Sequence, residues 1–286
     1  MDSGCMVCYL DRFVTRARSL GDEATATAFA RDLMNLMLTM DHSRSSPTLG
    51  PDTLALLQKY YDLDPDMYRA EKAASNRFVL ERLDTIQSRV ERAADPLLAG
   101  LQCAILGNYL DFSALGNKVS FGDLESMLEK AMEMELDPQA LADFRADLAA
   151  GRRLLYLTDN AGEIGFDRVF AQVIAREFPH LEITVCVRGG ICQNDATRED
   201  AAVVGMPFPV IDNGNAVPGT ELPQLGEEAR QALDQADVIL SKGMGNVETL
   251  YGCGKNVYYA FLVKCARFGR LFQKLLMTPM FLREPV

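Results

Sequence analysis

Residues 153–158 read Arg-Leu-Leu-Tyr-Leu-Thr, and residues 159–163 continue Asp-Asn-Ala-Gly-Glu. The first run is short and apolar, as in a buried strand, and the second leads into a helix-like stretch over 163–178. The same pattern recurs along the second half of the chain, which has further apolar runs at 181–187, 207–211, 236–240 and 257–263. Helix-like stretches at 196–204 and 224–235 lie between some of these runs. Alternating strands and helices predict a parallel sheet covered on both faces.

The first ~150 residues show helical periodicity instead. One helical face carries Phe29, Leu33, Leu36, Met37 and Met40, and a second pattern runs from Phe78 or Val79 through Leu83 and Ile86 to Val90. Residues 41–51 contain Pro, Gly and Ser and predict a loop. Asp95-Pro96 predicts a helix start, and residues 121–149 are again helix-like. We therefore predict an all-helical domain over 1–149 and a Rossmann-like, three-layer α/β domain over 150–286.

Composition limits the possible functions. The chain has 286 residues and a formal net charge of -11, which argues against nucleic-acid binding because that needs a basic surface. It has no run of 18 apolar residues and no basic-then-apolar start, so we expect no membrane span, no secretory signal and a cytoplasmic location. The seven cysteines are expected to be mostly reduced. Oligomeric state stays open.

Polar residues follow every predicted strand, at the sheet edge where α/β proteins bind ligands. Asp159, Asn160 and Asp195 supply the oxygen ligands that Mg²⁺ and Mn²⁺ prefer. Lys242 and Lys264 supply positive charge suited to phosphate. Glycines at 162, 243 and 245 let backbone N–H groups approach an anion. This combination favours a site for a metal-bound phosphate ester.

Each feature alone has a simpler explanation. Asp159-Asn160 and Asn194-Asp195 are also good helix N-caps, residues 212–215 have the composition of a turn, and Lys242-Gly243 alone is compatible with a solvated loop. Their joint occurrence at successive strand ends is what favours a ligand site.

The motifs in this order resemble the metal-dependent damage-control phosphatases, long classed as domain-of-unknown-function family 89. The resemblance rests on Thr158–Glu163, on Gly189-Gly190 with Asn194–Thr197, on Lys242–Asn246 and on Gly107–Phe112. Cys5-x-x-Cys8 is similar to the pair in a microbial branch of the family. Arg188, where we expect Lys in many members, and Ile191-Cys192-Gln193 depart from the pattern and affect the expected substrate preference.

The resemblance implies hydrolysis of small phosphate esters, such as sugar phosphates and damaged or side-product metabolites, with one divalent ion (Mn, Co, Ni or Mg). Asp159, Asn160 and Asp195 match the metal-binding positions, and Lys242 matches a lysine that contacts phosphate. Glu163 or Asp111 is expected to orient the attacking water. The expected substrate-binding residues are Asn108, Asp111, Gly243, Asn246 and Lys264.

Three alternatives remain at this point. The crevice could bind a nucleotide or phosphometabolite without turnover, although no P-loop and no G-x-G-x-x-G after the first strand is present. Asp159 could be a covalent nucleophile, but no second Asp has the Asp-x-Asp spacing. Cys5 and Cys8 could form a redox pair or half of a metal site, against a structural role as the default.

Overall fold

The second half of the chain forms one six-stranded sheet in the computed structural model, which describes residues 1–41, 43–64, 66–110 and 124–284. The strands are β1 (Arg153–Leu157), β2 (Glu182–Val187), β3 (Val210–Asp212), β4 (Val238–Lys242), β5 (Val257–Leu262) and β6 (Pro279–Arg283). Their order across the sheet is β3-β2-β1-β4-β5-β6. The first five are parallel, whereas β6 runs antiparallel to β5. The five predicted strands are present, and β6 had no counterpart in the sequence prediction.

Both faces of the sheet are buried, because successive side chains of a strand point to opposite sides. On β1, Leu154 and Tyr156 join one buried cluster, and Leu155 and Leu157 join another. This double burial explains why the strands have continuous apolar runs instead of alternating ones.

Thirteen α-helices lie within the described ranges. They are α1 (Ser3–Leu20), α2 (Glu23–Thr39), α3 (Gly50–Tyr60), α4 (Arg69–Leu80), α5 (Leu83–Glu91), α6 (Pro96–Gly107), α7 (Leu124–Met132), α8 (Pro138–Ala150), α9 (Glu163–Glu177), α10 (Arg198–Val203), α11 (Glu227–Gln235), α12 (Gly243–Leu250) and α13 (Ala266–Phe272). The chain is therefore a mixed α/β protein with a mostly parallel sheet.

The helices of the first half divide between two cores. Residues of α4 to α8 share one buried cluster with α9 and one face of the sheet. Helices α1 to α3 enclose a separate cluster around Phe29 and Leu33. On the opposite face of the sheet, α11, α12 and α13 cover the strands with residues such as Leu233, Leu250 and Phe268.

Several local predictions need correction. The periodic stretch from Phe78 to Val90 is two helices, since α4 ends at Leu80 and α5 begins at Leu83. The predicted loop over 41–51 already contains the start of α3, where Pro51 occupies the first turn and its missing N–H costs nothing. Lys242-Gly243, for which a solvated loop was the simpler alternative, lies where β4 ends and α12 begins.

No helix in the described ranges combines the length and the apolarity needed to cross a bilayer.

Candidate active site

The loops after β1 and β2 meet at the carboxyl edge of the sheet. Asn160 and Asp195 form an isolated antiparallel bridge. Beside it, the Ala196 N–H donates to the Asp159 carbonyl over 2.8 Å, and the Ala161 N–H donates to the Asn194 carbonyl over 2.8 Å. These backbone bonds hold the two loops together and bring Asp159, Asn160 and Asp195 to one place.

Asp159 is held by two amide groups. Its Oδ2 accepts from Asn160 Nδ2 at 2.7 Å and from Asn108 Nδ2 at 2.9 Å. The carboxylate also packs directly on Gly243, where a Cβ would lie 2.0 Å from Oδ2. Since Gly243 also has a φ of 77°, a glycine is required here both by the backbone conformation and by the space. The start of α12 therefore abuts the Asp159 carboxylate.

Arg188 extends from the end of β2 between the two carboxylates. Its Nε donates to Asp195 Oδ2 at 2.6 Å, and its Nη2 lies 3.8 Å from Asp159 Oδ1. The residue is 2% exposed. Within the described residues, Nη2 has no hydrogen-bond partner. A buried donor left unsatisfied is costly, and the nearest carboxylate oxygen recorded for this one is Asp159 Oδ1.

The acids at this edge repel one another. Burial, with added repulsion from Glu163 and Asp195, raises the pKa of Asp159 well above its usual value, although Arg188 and Lys264 oppose the rise. Raised carboxylate pKa values of this kind are characteristic of functional sites. A positive charge beyond those of Arg188 and Lys264 would therefore reduce the repulsion between the carboxylates at this site.

A second charged cluster lies directly behind the first. Lys242 Nζ donates to Glu163 Oε1, to Asp167 Oδ1 and to the Ala104 carbonyl, each at 2.7 Å. Burial raises the pKa of Asp167 to about 6, with Lys242 opposing and Glu163 adding to the rise. Lys242 and Glu163 are both fully buried. An ammonium has three protons, so none remains for a ligand.

The cleft in front of the loops has a volume of about 610 Å³. Its floor includes Asp159, Asn160 and Asp195, and Gly245 and Lys264 also line it. Its walls come from α1 and α13. The Cys5 and Cys8 side chains lie on one face of α1, toward this cleft. A larger cavity of about 890 Å³, lined by residues such as Arg89 and Gln102, contains none of the predicted site residues.

The structure distributes the remaining predicted residues differently. Lys242, Glu163 and Asn108 lie behind the floor and do not line the cleft. The predicted contact between Lys242 and a substrate phosphate does not fit this burial. Asn246 is also buried, where its Nδ2 donates to the carbonyls of Thr158 and Lys242 and so ties β1 to β4. Asp111 lies outside the described residues.

Sequence reasoning missed Asn76 on α4. Its Oδ1 accepts from the Gly162 N–H at 2.7 Å, and its Nδ2 donates to Asp200 Oδ1 at 2.8 Å. Asp200 Oδ2 in turn accepts from the Thr197 N–H at 2.8 Å and forms an ion pair with Lys72. One buried amide therefore ties α4 to the segments that follow both site loops. An isolated Asn within a helical pattern gave no signal for this role.

The donor set fits a hard divalent cation. Asp159 and Asp195 supply carboxylates, and Asn160, whose Nδ2 bonds Asp159 and Glu163, keeps its Oδ1 outside those bonds. The raised pKa of Asp159 shows that a nearby positive charge would relieve repulsion here. Within the described residues, no group of three or more His, Cys, Asp or Glu side chains is arranged to hold a metal, so an amide oxygen has to complete the set.

Known proteins share this architecture. A curated damage-control phosphatase of Archaeoglobus fulgidus is 29% identical over 272 residues, covering 93% of each chain. One of Pyrococcus horikoshii is 27% identical over 272 residues, covering 93% of this chain and 92% of that protein.

A solved structure also shares the fold of this chain. The crystal structure of a Pyrococcus horikoshii family 89 protein superimposes with a TM-score of 0.85 at 24% identity, covering 100% of this chain and 99% of that one. The family model described as the damage-control phosphatase ARMT1-like domain matches residues 1–275. The chain therefore belongs to the damage-control phosphatase ARMT1-like family, as the sequence motifs predicted.

Proposed function

We propose that this protein hydrolyses small phosphate monoesters with one divalent cation held by Asp159, Asn160 and Asp195. The family supports a phosphatase role. The observation that carries the proposal is the meeting of two acids and an amide on the floor of one cleft, with the pKa of Asp159 raised by burial and by neighbouring carboxylates. In the family, as the resemblance implies, the ion is Mn²⁺, Co²⁺, Ni²⁺ or Mg²⁺.

The cation would supply a Lewis acid for the phosphoryl group and make water a stronger nucleophile near neutral pH. Asn108 and Asn160 fix Asp159 by bonds to Oδ2, which leaves Oδ1 to face Arg188. Lys264 lines the same cleft and offers positive charge to the equatorial phosphoryl oxygens.

The start of α12 supplies further donors. The first N–H groups of a helix have no partner within it, and Met244 and Gly245 in this first turn line the cleft. Because Gly243 has no Cβ, this helix end can lie against Asp159. We assign these N–H groups to the phosphate.

We assign Lys242, Glu163 and Asn108 to positioning. Glu163 Oε2 accepts from Asn108 and Asn160, while its Oε1 accepts from Lys242. The cluster holds the amide that contacts Asp159 in one orientation. The carboxylate of Glu163 is too deeply buried in this arrangement to act on a water in the cleft. Asp111 keeps the predicted role of orienting water.

Other proposals concern the whole chain. The strand order supports a Rossmann-like domain over 150–286, and the helices of the first half support a helical domain over 1–149. The cleft position of Cys5 and Cys8 supports placing the protein in the branch that carries such a pair. A cytoplasmic location stays part of the proposal.

The test is a panel of phosphate monoesters crossed with Mg²⁺, Mn²⁺, Co²⁺ and Ni²⁺ after chelator treatment. Asp159→Ala should reduce metal-dependent kcat/KM by at least about 1,000-fold without unfolding the protein. The matched control is Asp234→Ala, which removes an exposed carboxylate paired with Lys255. Full activity in the Asp159 variant would refute the metal assignment, and a trapped phospho-aspartate would replace it with a covalent mechanism.

A further inference from the structure

The cleft is positively charged in a protein that is acidic overall. The net charge of the chain is -11, yet the cleft is lined by the four cations Arg12, Lys264, Arg267 and Arg270. Its three carboxylates are Asp159, Asp195 and Glu248, and the first two are the proposed metal ligands. A divalent cation would balance those two charges. The rest of the lining then carries four cations against one acid.

Three of these cations lack a close acidic partner. Within the described residues, the Arg270 side chain has no hydrogen bond or ion pair, although its charge and that of Arg267 help to lower the pKa of Asp2. Arg267 comes no closer to a carboxylate than 3.8 Å, at the same Asp2. Arg12 donates its Nη2 to the neutral Gln193 Oε1 at 2.7 Å. Arginines elsewhere differ, since Arg198 contacts Asp212 at 2.5 Å and Glu228 at 3.1 Å.

The remaining acid does little to offset this charge. Glu248 Oε2 accepts from Ser46 Oγ at 2.9 Å, which supplies a neutral partner. Burial raises the pKa of Glu248, although the Ser46 hydrogen bond and the charges of Arg267 and Arg12 oppose the rise, so its charged form is disfavoured in this wall. The cluster Arg12, Arg267 and Arg270, here called the arginine wall, therefore presents largely uncompensated charge to the cleft.

The cleft is also larger than one phosphate group requires. A volume of about 610 Å³ lies in the range of sites that enclose whole small molecules. The proposed metal site and Lys264 already account for one phosphoryl group. Arginine forks bind carboxylate and phosphate oxygens in pairs, which makes them suited to a second anion.

We propose that the preferred substrate carries a second anionic group, a phosphate or a carboxylate, which binds the arginine wall while the scissile phosphate occupies the floor. The inference rests on the proposed phosphatase function, whose substrate class it names. The neutral part of the substrate would span the cleft between the two ends.

The experiment compares matched substrates in the Mn²⁺-loaded protein. Fructose 6-phosphate and fructose 1,6-bisphosphate test a second phosphate, and glucose 6-phosphate and 6-phosphogluconate test a carboxylate. We expect kcat/KM at least tenfold higher for the member with two anionic groups in at least one pair, and the pair that responds identifies the second group. p-Nitrophenyl phosphate reports basal phosphatase activity.

The test variant is the double substitution Arg267→Gln and Arg270→Gln, because neither side chain contacts the proposed metal-bearing loops in the described structure. It should remove the preference, with at least a tenfold loss on the preferred substrate and less than a twofold change on p-nitrophenyl phosphate. The control is Arg18→Gln on α1, an exposed residue paired with Glu23. The control should change neither activity by more than twofold.

Failure of the inference and failure of the proposed function give different results. Equal kcat/KM within both pairs, or an unchanged preference in the double variant, overturns the proposal that the arginine wall binds a second anionic group. In that case p-nitrophenyl phosphate is still hydrolysed. If no ester is hydrolysed, the proposed function fails. Calorimetric binding of the same ligands then decides the inference, which is overturned if neither ligand with two anionic groups binds tighter than its partner.

Discussion

Two clusters with the same numbers of acidic and basic side chains lie side by side in this protein. They differ in how completely the donors of the cation are hydrogen-bonded. The front cluster is Asp159, Arg188 and Asp195, on the cleft floor and directly beneath it. The rear cluster is Glu163, Lys242 and Asp167, enclosed between β4, α6 and α9. Each contains two carboxylates and one cation.

In the rear cluster every proton of the Lys242 ammonium has an acceptor at 2.7 Å. In the front cluster Arg188 Nη2 has no partner within the described residues, and the pKa of Asp159 is raised by burial and by two neighbouring acids. The carboxylates of the rear cluster are not fully paired, since Asp167 Oδ2 has no hydrogen-bond partner within the described residues, but a buried cation with every donor paired provides structure. An unsatisfied cluster at a cleft is prepared to bind something, and the following predictions test that difference.

The largest effect is expected for Lys242→Met. Removing the ammonium leaves Glu163 and Asp167 buried without compensation, so the free energy of unfolding should fall by about 3 to 5 kcal/mol. Urea denaturation measures it. Added Mn²⁺ should stabilise this variant no more than it stabilises the wild type. A loss below about 1 kcal/mol would show that the rear cluster does not stabilise the fold.

Arg188→Met should behave differently. The metal-free protein should lose about 3 kcal/mol, the lower end for a broken buried ion pair. Since the arginine and the cation would both offset charge on Asp159 and Asp195, Mn²⁺ should then stabilise this variant more than the wild type. Denaturation with and without saturating Mn²⁺ measures the difference. Equal metal-induced stabilisation of the Arg188 and Lys242 variants would remove the distinction between the two clusters.

The raised pKa of Asp167 predicts that the contribution of the rear cluster to the free energy of unfolding depends on pH. The Asp167 pKa of about 6 in the folded protein lies above the usual 3.8. The protonated form therefore favours the fold, and this contribution is complete below pH ~4 and lost as pH rises through ~6. The stability of the wild type minus that of Asp167→Asn should fall by roughly 2 kcal/mol between pH 4 and 7. Denaturation curves at several pH values test this, and a difference that rises with pH would contradict the assignment.

The smallest effect concerns the connection between the halves. Asn76→Ala should cost about 1 kcal/mol in stability, because the Gly162 N–H loses its acceptor. It should also weaken Mn²⁺ binding about tenfold, as expected for a residue that supports ligand-bearing loops. Calorimetry measures the affinity. The control is Gln87→Ala, an exposed amide bonded to Glu91 on the neighbouring helix α5, and equal metal affinity in both variants would refute the positioning role.

The sequence predicted the front cluster better than the rear one. Asp159, Asn160 and Asp195 follow strands, and the strand-end rule brings such residues together without knowledge of the helices. How deeply each side chain is buried could not be predicted in this way. Lys242 follows the predicted strand at 236–240, but in the structure it is the last residue of β4. It is buried because α6 places the Ala104 carbonyl over it, and that contact joins residues 138 positions apart.

Local patterns also failed where glycine has a spatial role. Gly243 and Gly245 were predicted only to let backbone N–H groups approach an anion. In the structure α12 begins at Gly243, and the Asp159 carboxylate occupies the place that a side chain at 243 would need. The last strand was missed because β6 pairs antiparallel to β5, outside the alternation of strands and helices. Arg188 stood out in sequence only as a departure from the family, and its position between two acids required the fold.

The anchor from Asn76 to Gly162 bears on how this enzyme can be divided. A fragment beginning at residue 150 would keep all three proposed cation ligands. It would lose the acceptor for the Gly162 N–H and the Ala104 carbonyl that accepts a hydrogen bond from Lys242. It would also lose the cleft wall that α1 supplies. We therefore expect that the α/β half is not an autonomous catalyst and that gene fusions or split reporters built on this scaffold must keep both halves together.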